Sequence, residues 1–306
     1  MDAPPPDRAA ASVRRGERGA PSPLSRSAAD VATQQSGENF PVALRLLPKH
    51  ARRHLQSIYG YARFVDDLGD EAPGDRLRLL DAVDADLERL YAGTRPSLPV
   101  LAALAPTVRA CALPAEPFRA LVQANRVDQQ VTRYQTWAEL VGYCELSANP
   151  VGRLVLQVAG QATPDRVARS DDVCTALQVI EHLQDIGEDY RAGRIYLPLQ
   201  DLAEYGVTEG ELAEPTASAA LRRLIASEAG RAGKLLDSGG PLVASLRGWS
   251  RLAVAGYAGG GRAAVTGIAG VDFDTLRQAV HPARRDVIVE TVRLVFARTT
   301  VRRGPA

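Results

Sequence analysis

Residues 54–70 read HLQSIYGYARFVDDLGD, and the spacing of this stretch decides the fold. Taken as a helix, Leu55, Tyr59 and Ala62 form one stripe at four- and three-residue intervals, and Asp66 and then Asp70 continue that stripe. Carboxylates therefore stand where a core-facing residue belongs. Four residues advance a helix by about 6 Å and return close to the same face, so Asp66 and Asp70 point into one small volume with Asp67 beside them. Gathering like charges away from water is costly unless a cation compensates them. Oxygen-only donors of this kind suit Mg²⁺, which commonly bridges protein to phosphate. Gly69 and Pro73 leave a second reading open, an exposed acidic turn where the helix stops.

The same periodicity extends outward. From Phe40 to Phe296 apolar residues recur every three or four positions, while hairpin dipeptides and alternating runs are nearly absent. Breaks are expected at 72–74, 94–99, 113–117, 163–164, 196–198, 214–215, 239–241 and 259–261. They delimit about eight to ten helices. No break is long enough for a clear interdomain linker, so the expectation is one all-α domain over 38–298, a bundle whose sites are built on facing helices. Residues 1–37 are rich in Pro, Ser, Ala and Arg and lack the apolar run of a secretion leader. They are expected to form a disordered tail, as are residues 299–306.

Composition narrows the function. A chain of 306 residues that is 45% apolar has enough core to enclose a cavity. Thirty-seven basic against thirty-six acidic residues leave no field to recruit nucleic acid. Three scattered cysteines and four histidines form neither a disulfide framework nor a zinc pattern, which fits a reducing cytoplasm. No run of about 18 apolar residues suggests a membrane span.

A second acidic stretch, residues 173–198, reads VCTALQVIEHLQDIGEDYRAGRIYLP. Ala176, Ile180, Leu183 and Ile186 make its apolar stripe, while Gln178, Glu181, Asp185, Glu188 and Asp189 line a polar face. Alone this is an ordinary solvated face. Paired with the first cluster it meets a specific chemical need, because a diphosphate leaving group takes several divalent ions, and these need carboxylates from more than one helix. Bound Mg²⁺ would stabilise charge on the departing group as a Lewis acid.

At these motifs the sequence resembles the squalene and phytoene synthase family. The resemblance runs through YARFVDD with Asp70, the segment 128–153 and DIGEDYRAGRIYLP, and covers roughly residues 39–295. It implies a single all-α isoprenoid synthase domain with two Asp-rich motifs facing across a deep cavity, binding an isoprenoid diphosphate through Mg²⁺. Carried over by position, Asp66, Asp67 and Asp70 form the first metal motif, and Asp185, Glu188 and Asp189 the second. Arg63 and Arg194 then contact diphosphate, with Tyr196 in the same GRIYLP signature and Gln178 on the polar face. Arg63 also has a plainer reading as an intrahelical partner of Asp66 or Asp67. Arg133 and Tyr134 match an RY pair whose polar groups lie near the reacting carbons. Tyr59 and Tyr61 fit either a catalytic role or simple packing.

The stretch YCELSANPVGR, residues 143–153, points to a branch of the family. Condensing members usually carry VAGTVG where this chain has Ser147, Ala148, Asn149, Pro150, Val151 and Gly152. SANPVGR, with ENFPVA at 38–43, resembles the hydroxysqualene synthases of bacterial hopanoid pathways. That implies ionisation of presqualene diphosphate followed by water capture, with a presqualene diphosphate synthase upstream and a hydroxysqualene reductase downstream. The lack of a GxGxxG fingerprint agrees with a reaction needing no nicotinamide. Ser147 and Asn149 could hold the attacking water; alternatively, Asn149 caps the helix begun at Pro150. Small residues at Ala148, Gly152 and Gly160 are expected to leave room for prenyl chains, and transient contact with a membrane surface suits so greasy a substrate. Glu181 departs from the Asn usual in relatives. The alternatives are a head-to-head condensing synthase and a non-catalytic helical scaffold of the same family.

Overall fold

A computed structural model describes residues 23–25, 47–278 and 280–297. Most of the tail expected over 1–37, the ENFPVA stretch and residues 299–306 lie outside it. Within it the helical periodicity is realised as α1 (Lys49–Asp70), α2 (Arg76–Tyr91), α3 (Pro99–Cys111), α4 (Glu116–Asp128), α5 (Trp137–Ser147), α6 (Asn149–Val158) and α7 (Pro164–Gln184). These are followed by α8 (Ile186–Arg191), α9 (Leu199–Tyr205), α10 (Ala219–Gly239), α11 (Pro241–Ser245), α12 (Gly248–Gly270) and α13 (Arg284–Phe296). Thirteen α-helices among the described residues exceed the eight to ten expected, because single residues such as Ala148 and Asp185 suffice to part neighbouring helices. The only β pairing among the described residues is an isolated parallel bridge between Arg133 and Ile195.

Local chemistry sets many of these boundaries. Asp75, Thr136, Thr163 and Ser218 accept a backbone N–H from the first turns of α2, α5, α7 and α10, satisfying donors that a helix start leaves orphaned. Pro164 fits the first turn of α7, where no N–H is missed. The break expected at 259–261 is absent, since α12 runs unbroken through its glycines. Those glycines serve close packing. A Cβ on Gly259 would lie 2.7 Å from the Thr291 backbone nitrogen, and one on Gly261 would lie 2.8 Å from Leu177 Cδ2. Each glycine costs about 1 kcal/mol of helix propensity, and in exchange α13 and α7 can approach α12.

Two apolar cores form. One gathers Leu55, Phe64, Leu80, Leu101 and Phe118 of α1 to α4 with Leu154 and Val155 of α6. The other collects Tyr143, Ile180, Leu183, Leu221, Ala255 and Ile268 from α5, α7, α10 and α12. Burying each such side chain contributes about 1.5–3 kcal/mol. Tyr61 belongs to the first core, its ring edge-on to Phe118 at 5.1 Å and its hydroxyl donating to Phe118 O at 3.0 Å, which settles it as a packing residue. No described helix is long and apolar enough to cross a membrane, and the three cysteines are free thiols.

Candidate active site

Where the two cores adjoin lies a half-open cavity of about 300 Å³. Its first wall is the end of α1, from which Arg63, Asp66 and Asp70 face inward. Asn125 of α4 donates from Nδ2 to Asp66 Oδ1 at 3.0 Å and to Leu121 O at 3.2 Å. That bond fits because Gly69 presents no side chain; a Cβ there would sit 2.0 Å from Asn125 Oδ1. Burial, reinforced by the neighbouring charges of Asp70 and Asp67, pushes the Asp66 carboxyl up to about 6. Asp70 instead accepts from Arg194 Nη2 at 2.8 Å, a contact that joins the two acidic motifs. Asp67 is not among the cavity-lining residues. It is 4% exposed and receives Arg63 Nε at 2.9 Å. One residue turns a helix by about 100°, so the third carboxylate expected beside the other two points elsewhere. The intrahelical ion pair considered for Arg63 is real, and Arg63 lines the cavity as well.

The opposite wall comes from α7, α8 and the segment after them. The continuous helix expected over the second motif parts at Asp185, whose backbone (φ −106°, ψ 13°) lets α8 start in a new direction. Gln178, Glu181, His182, Asp185, Asp189, Arg194 and Tyr196 all line the cavity. Glu188 does not: as the third residue of α8 it is exposed. Burial raises the carboxyl of Asp185, with the charges of Asp189 and Glu188 adding to it. His182 stacks on Tyr196 at 3.6 Å and 9°, and its Nδ1 lies 3.8 Å from Asp189 Oδ2.

A third wall is formed by Asp128 of α4 with Tyr143 and Ser147 of α5, and of these three only Ser147 was expected as a site residue. The Tyr143 hydroxyl donates to Asp128 Oδ2 at 2.9 Å, while Asp128 Oδ1 is buried with no hydrogen-bond partner. Burial pushes the Asp128 carboxyl up to about 6. Tyr134 stands behind this wall, its ring 5.8 Å from that of Tyr196 and 5.5 Å from that of Tyr143. Burial moves all three phenols far above their ordinary range. A signal for Asp128 was present: Leu121, Ala124, Asn125 and Asp128 repeat the pattern of a stripe that begins apolar and ends on a carboxylate.

Several expected site residues lie elsewhere. Arg133 faces away from the cavity, gripping both carboxylate oxygens of Glu209 at 3.1 and 3.0 Å and donating to Gly193 O at 2.7 Å, so it clasps two loops together. Tyr59, half-buried on α1, is not a lining residue. Asn149 is 2% exposed and accepts from Thr175 Oγ1 at 3.1 Å. It is the first residue of α6 and makes no capping bond, so both readings of it give way to a tie between α6 and α7. Ser147 does face the cavity, with its hydroxyl donating to Tyr143 O. Ala148 and Val151 do not line it, and Val151 packs against the first core. Gly152 gives no room to a ligand, because a Cβ on it would be 2.5 Å from both Cys174 Sγ and Ser170 Oγ. Gly160 takes a left-handed turn (φ 63°) after α6.

The donor chemistry fits a hard cation. Asp66, Asp70, Asp185 and Asp189 supply oxygen donors from two facing walls, two of them with carboxyls raised by burial, and the buried orphan Asp128 Oδ1 leaves further negative charge uncompensated. Among the described residues no three His, Cys, Asp or Glu side chains close around one point. Mg²⁺ held by such a donor set would complete its shell with waters and phosphate oxygens. The lining is mostly polar, with Leu121 and Ala124 its aliphatic members, so the space described is that for a charged head group.

Residues 33–286 match the family model described as squalene/phytoene synthase. The chain is 35% identical over 214 residues to a hydroxysqualene synthase of Rhodopseudomonas palustris, covering 69% of this chain and 72% of that one. It is likewise 35% identical over 217 residues to a phytoene synthase of Arthrospira platensis, covering 66% and 70%. Among solved structures, squalene synthase HpnC from Alicyclobacillus acidocaldarius superposes with a TM-score of 0.76 at 41% identity, over 80% of this chain and 93% of that one.

Proposed function

The chain belongs to the squalene/phytoene synthase family, and within that family we propose that it is a hydroxysqualene synthase, converting presqualene diphosphate and water to hydroxysqualene and diphosphate. The observation that carries this reading is the pair of acidic walls joined by Arg194 and Asp70 around a polar cavity, in a chain whose curated relatives include hydroxysqualene synthases from three bacteria. Asp66, Asp70, Asp185 and Asp189 would hold Mg²⁺. When bound, Mg²⁺ stabilises negative charge on the departing diphosphate.

The chain's own groups do the rest. Arg194 and Arg63 present guanidinium groups to diphosphate oxygens, a charge-assisted geometry that arginine suits. The ring of Tyr143 can stabilise a carbocation without capturing it, because a buried phenol holds its proton. Ser147 brings a hydroxyl to the cavity wall. The likeness to phytoene synthases supports a second reading, head-to-head condensation of two prenyl diphosphates. Under the first reading a presqualene diphosphate synthase supplies the substrate and a reductase consumes the product.

Incubation with presqualene diphosphate or farnesyl diphosphate separately, with Mg²⁺ and no nicotinamide, tests the choice by mass spectrometry of the products. Hydroxysqualene from the former with the latter untouched is the expected outcome; consumption of farnesyl diphosphate moves the assignment to the condensing reaction.

A further inference from the structure

Loss of diphosphate is half of a water-capture reaction, and the other half is delivery of water to a carbocation and removal of one of its protons. Most carboxylates around the cavity are committed. Asp66 is bonded to Asn125, Asp70 to Arg194, and Asp185 and Asp189 sit on the wall that would face the metal. The tyrosines cannot take a proton while burial holds them neutral. Asp128 differs from all of these. One oxygen is fixed by the Tyr143 hydroxyl at 2.9 Å, and the other is buried with no protein partner. A buried acceptor in that state has an ordered water as its natural partner.

We propose that Asp128, oriented by Tyr143, is the catalytic residue that positions the attacking water and accepts its proton. The inference rests on the hydroxysqualene synthase reading. In the step, the C–O bond to diphosphate breaks and its electron pair leaves with diphosphate. A lone pair of the water oxygen forms the new C–O bond to the rearranged cation, and one water proton passes to an Asp128 oxygen, from which it returns to solvent. The balance needs no other reactant. A carboxyl at about 6 is ionised at neutral pH, so it can accept, and its conjugate acid is strong enough to release the proton for the next cycle. Tyr143 is the positioning residue, since its bond holds one oxygen of Asp128 at the cavity wall and leaves the other without a protein partner.

The test uses the full chain with Mg²⁺ and presqualene diphosphate, reading released diphosphate and the alcohol fraction of the products separately. In Asp128→Asn the carboxamide keeps the shape and loses the base. Diphosphate release should persist while the alcohol fraction falls at least about tenfold, and Asp128→Glu should restore part of it. An alcohol fraction in Asp128→Asn equal to wild type overturns the proposal. Should Asp128→Asn fail to fold, Tyr143→Phe carries the test. It removes only the orienting hydroxyl and is expected to lower the alcohol fraction while diphosphate release continues; an unchanged fraction again overturns the proposal. Wild-type protein that ignores presqualene diphosphate would refute the functional reading instead, and that control separates the two failures.

Discussion

Gly69→Ala should show how tightly the first acidic motif is held. The new Cβ would lie 2.0 Å from Asn125 Oδ1 and 3.2 Å from Asn125 Cβ, so the amide must swing away. Asn125 then gives up its hydrogen bond to Asp66, worth about 1.5–3 kcal/mol when the acceptor is charged, and leaves Asp66 buried among like charges. Residual crowding adds about 1–3 kcal/mol. Allowing for partial relaxation, a loss of roughly 2–4 kcal/mol in urea unfolding free energy is expected, with the m-value unchanged. The Asn125 bond lowers the Asp66 pKa, so the variant's carboxyl should titrate above the value of about 6, measurable by NMR of labelled aspartates. Adding Asn125→Ala should make the combined loss smaller than the sum of the two single losses, because the clash disappears. An unfolding free energy for Gly69→Ala within about 0.5 kcal/mol of wild type would refute the reasoning.

Glu228 of α10 is 1% exposed, bonded to Arg231 at 2.8 Å, and pushed by burial up to about 8. Its folded-state pKa lies above the unfolded value, so the native state binds the extra proton. That stabilisation is fully present below about pH 4.5 and is lost as pH rises towards 8; Glu228→Gln should flatten that part of the stability–pH curve. Asn149→Ala breaks the buried bond to Thr175 and should cost about 1–3 kcal/mol in chemical denaturation while leaving the product ratio alone, since Asn149 lies outside the cavity. Gly259→Ala drives a methyl into the Thr291 backbone, so despite better helix propensity its unfolding free energy should fall by about 1–3 kcal/mol.

Much of the fold was legible because amphipathic periodicity survives wherever a helix buries one face. Asp66 and Asp70 were readable for the same reason: they continue a helical stripe that begins at Leu55, and the structure turns both into the cavity. Asp67 and Glu188 show where residue identity alone falls short, since each adjoins a lining carboxylate yet sits about 100° around its helix. Asp185 lies at a break that leaves no composition signal, so the second motif's geometry could not be derived from a continuous helix. Arg133 could not be placed because its partner Glu209 is distant in sequence, and loop-to-loop clasps have no periodicity. Glycine misled in one direction. Within 259–261 it suggested a turn, yet the space it leaves is taken by Thr291, Leu177 and Leu236.

The cavity's position between two apolar cores has a consequence for how affinity is set. Asp66 and Asp70 are rooted in a helix of one core, whereas Asp185, Asp189 and Tyr196 are carried by the other. Any slide of one core against the other alters the span between the acidic walls, so substitutions remote from the ligand, at the Leu154 or Ala253 contacts, should retune binding without touching it. By reciprocity, a ligand that grips both walls must tighten the whole body, and saturation should slow amide exchange in helices that never meet it.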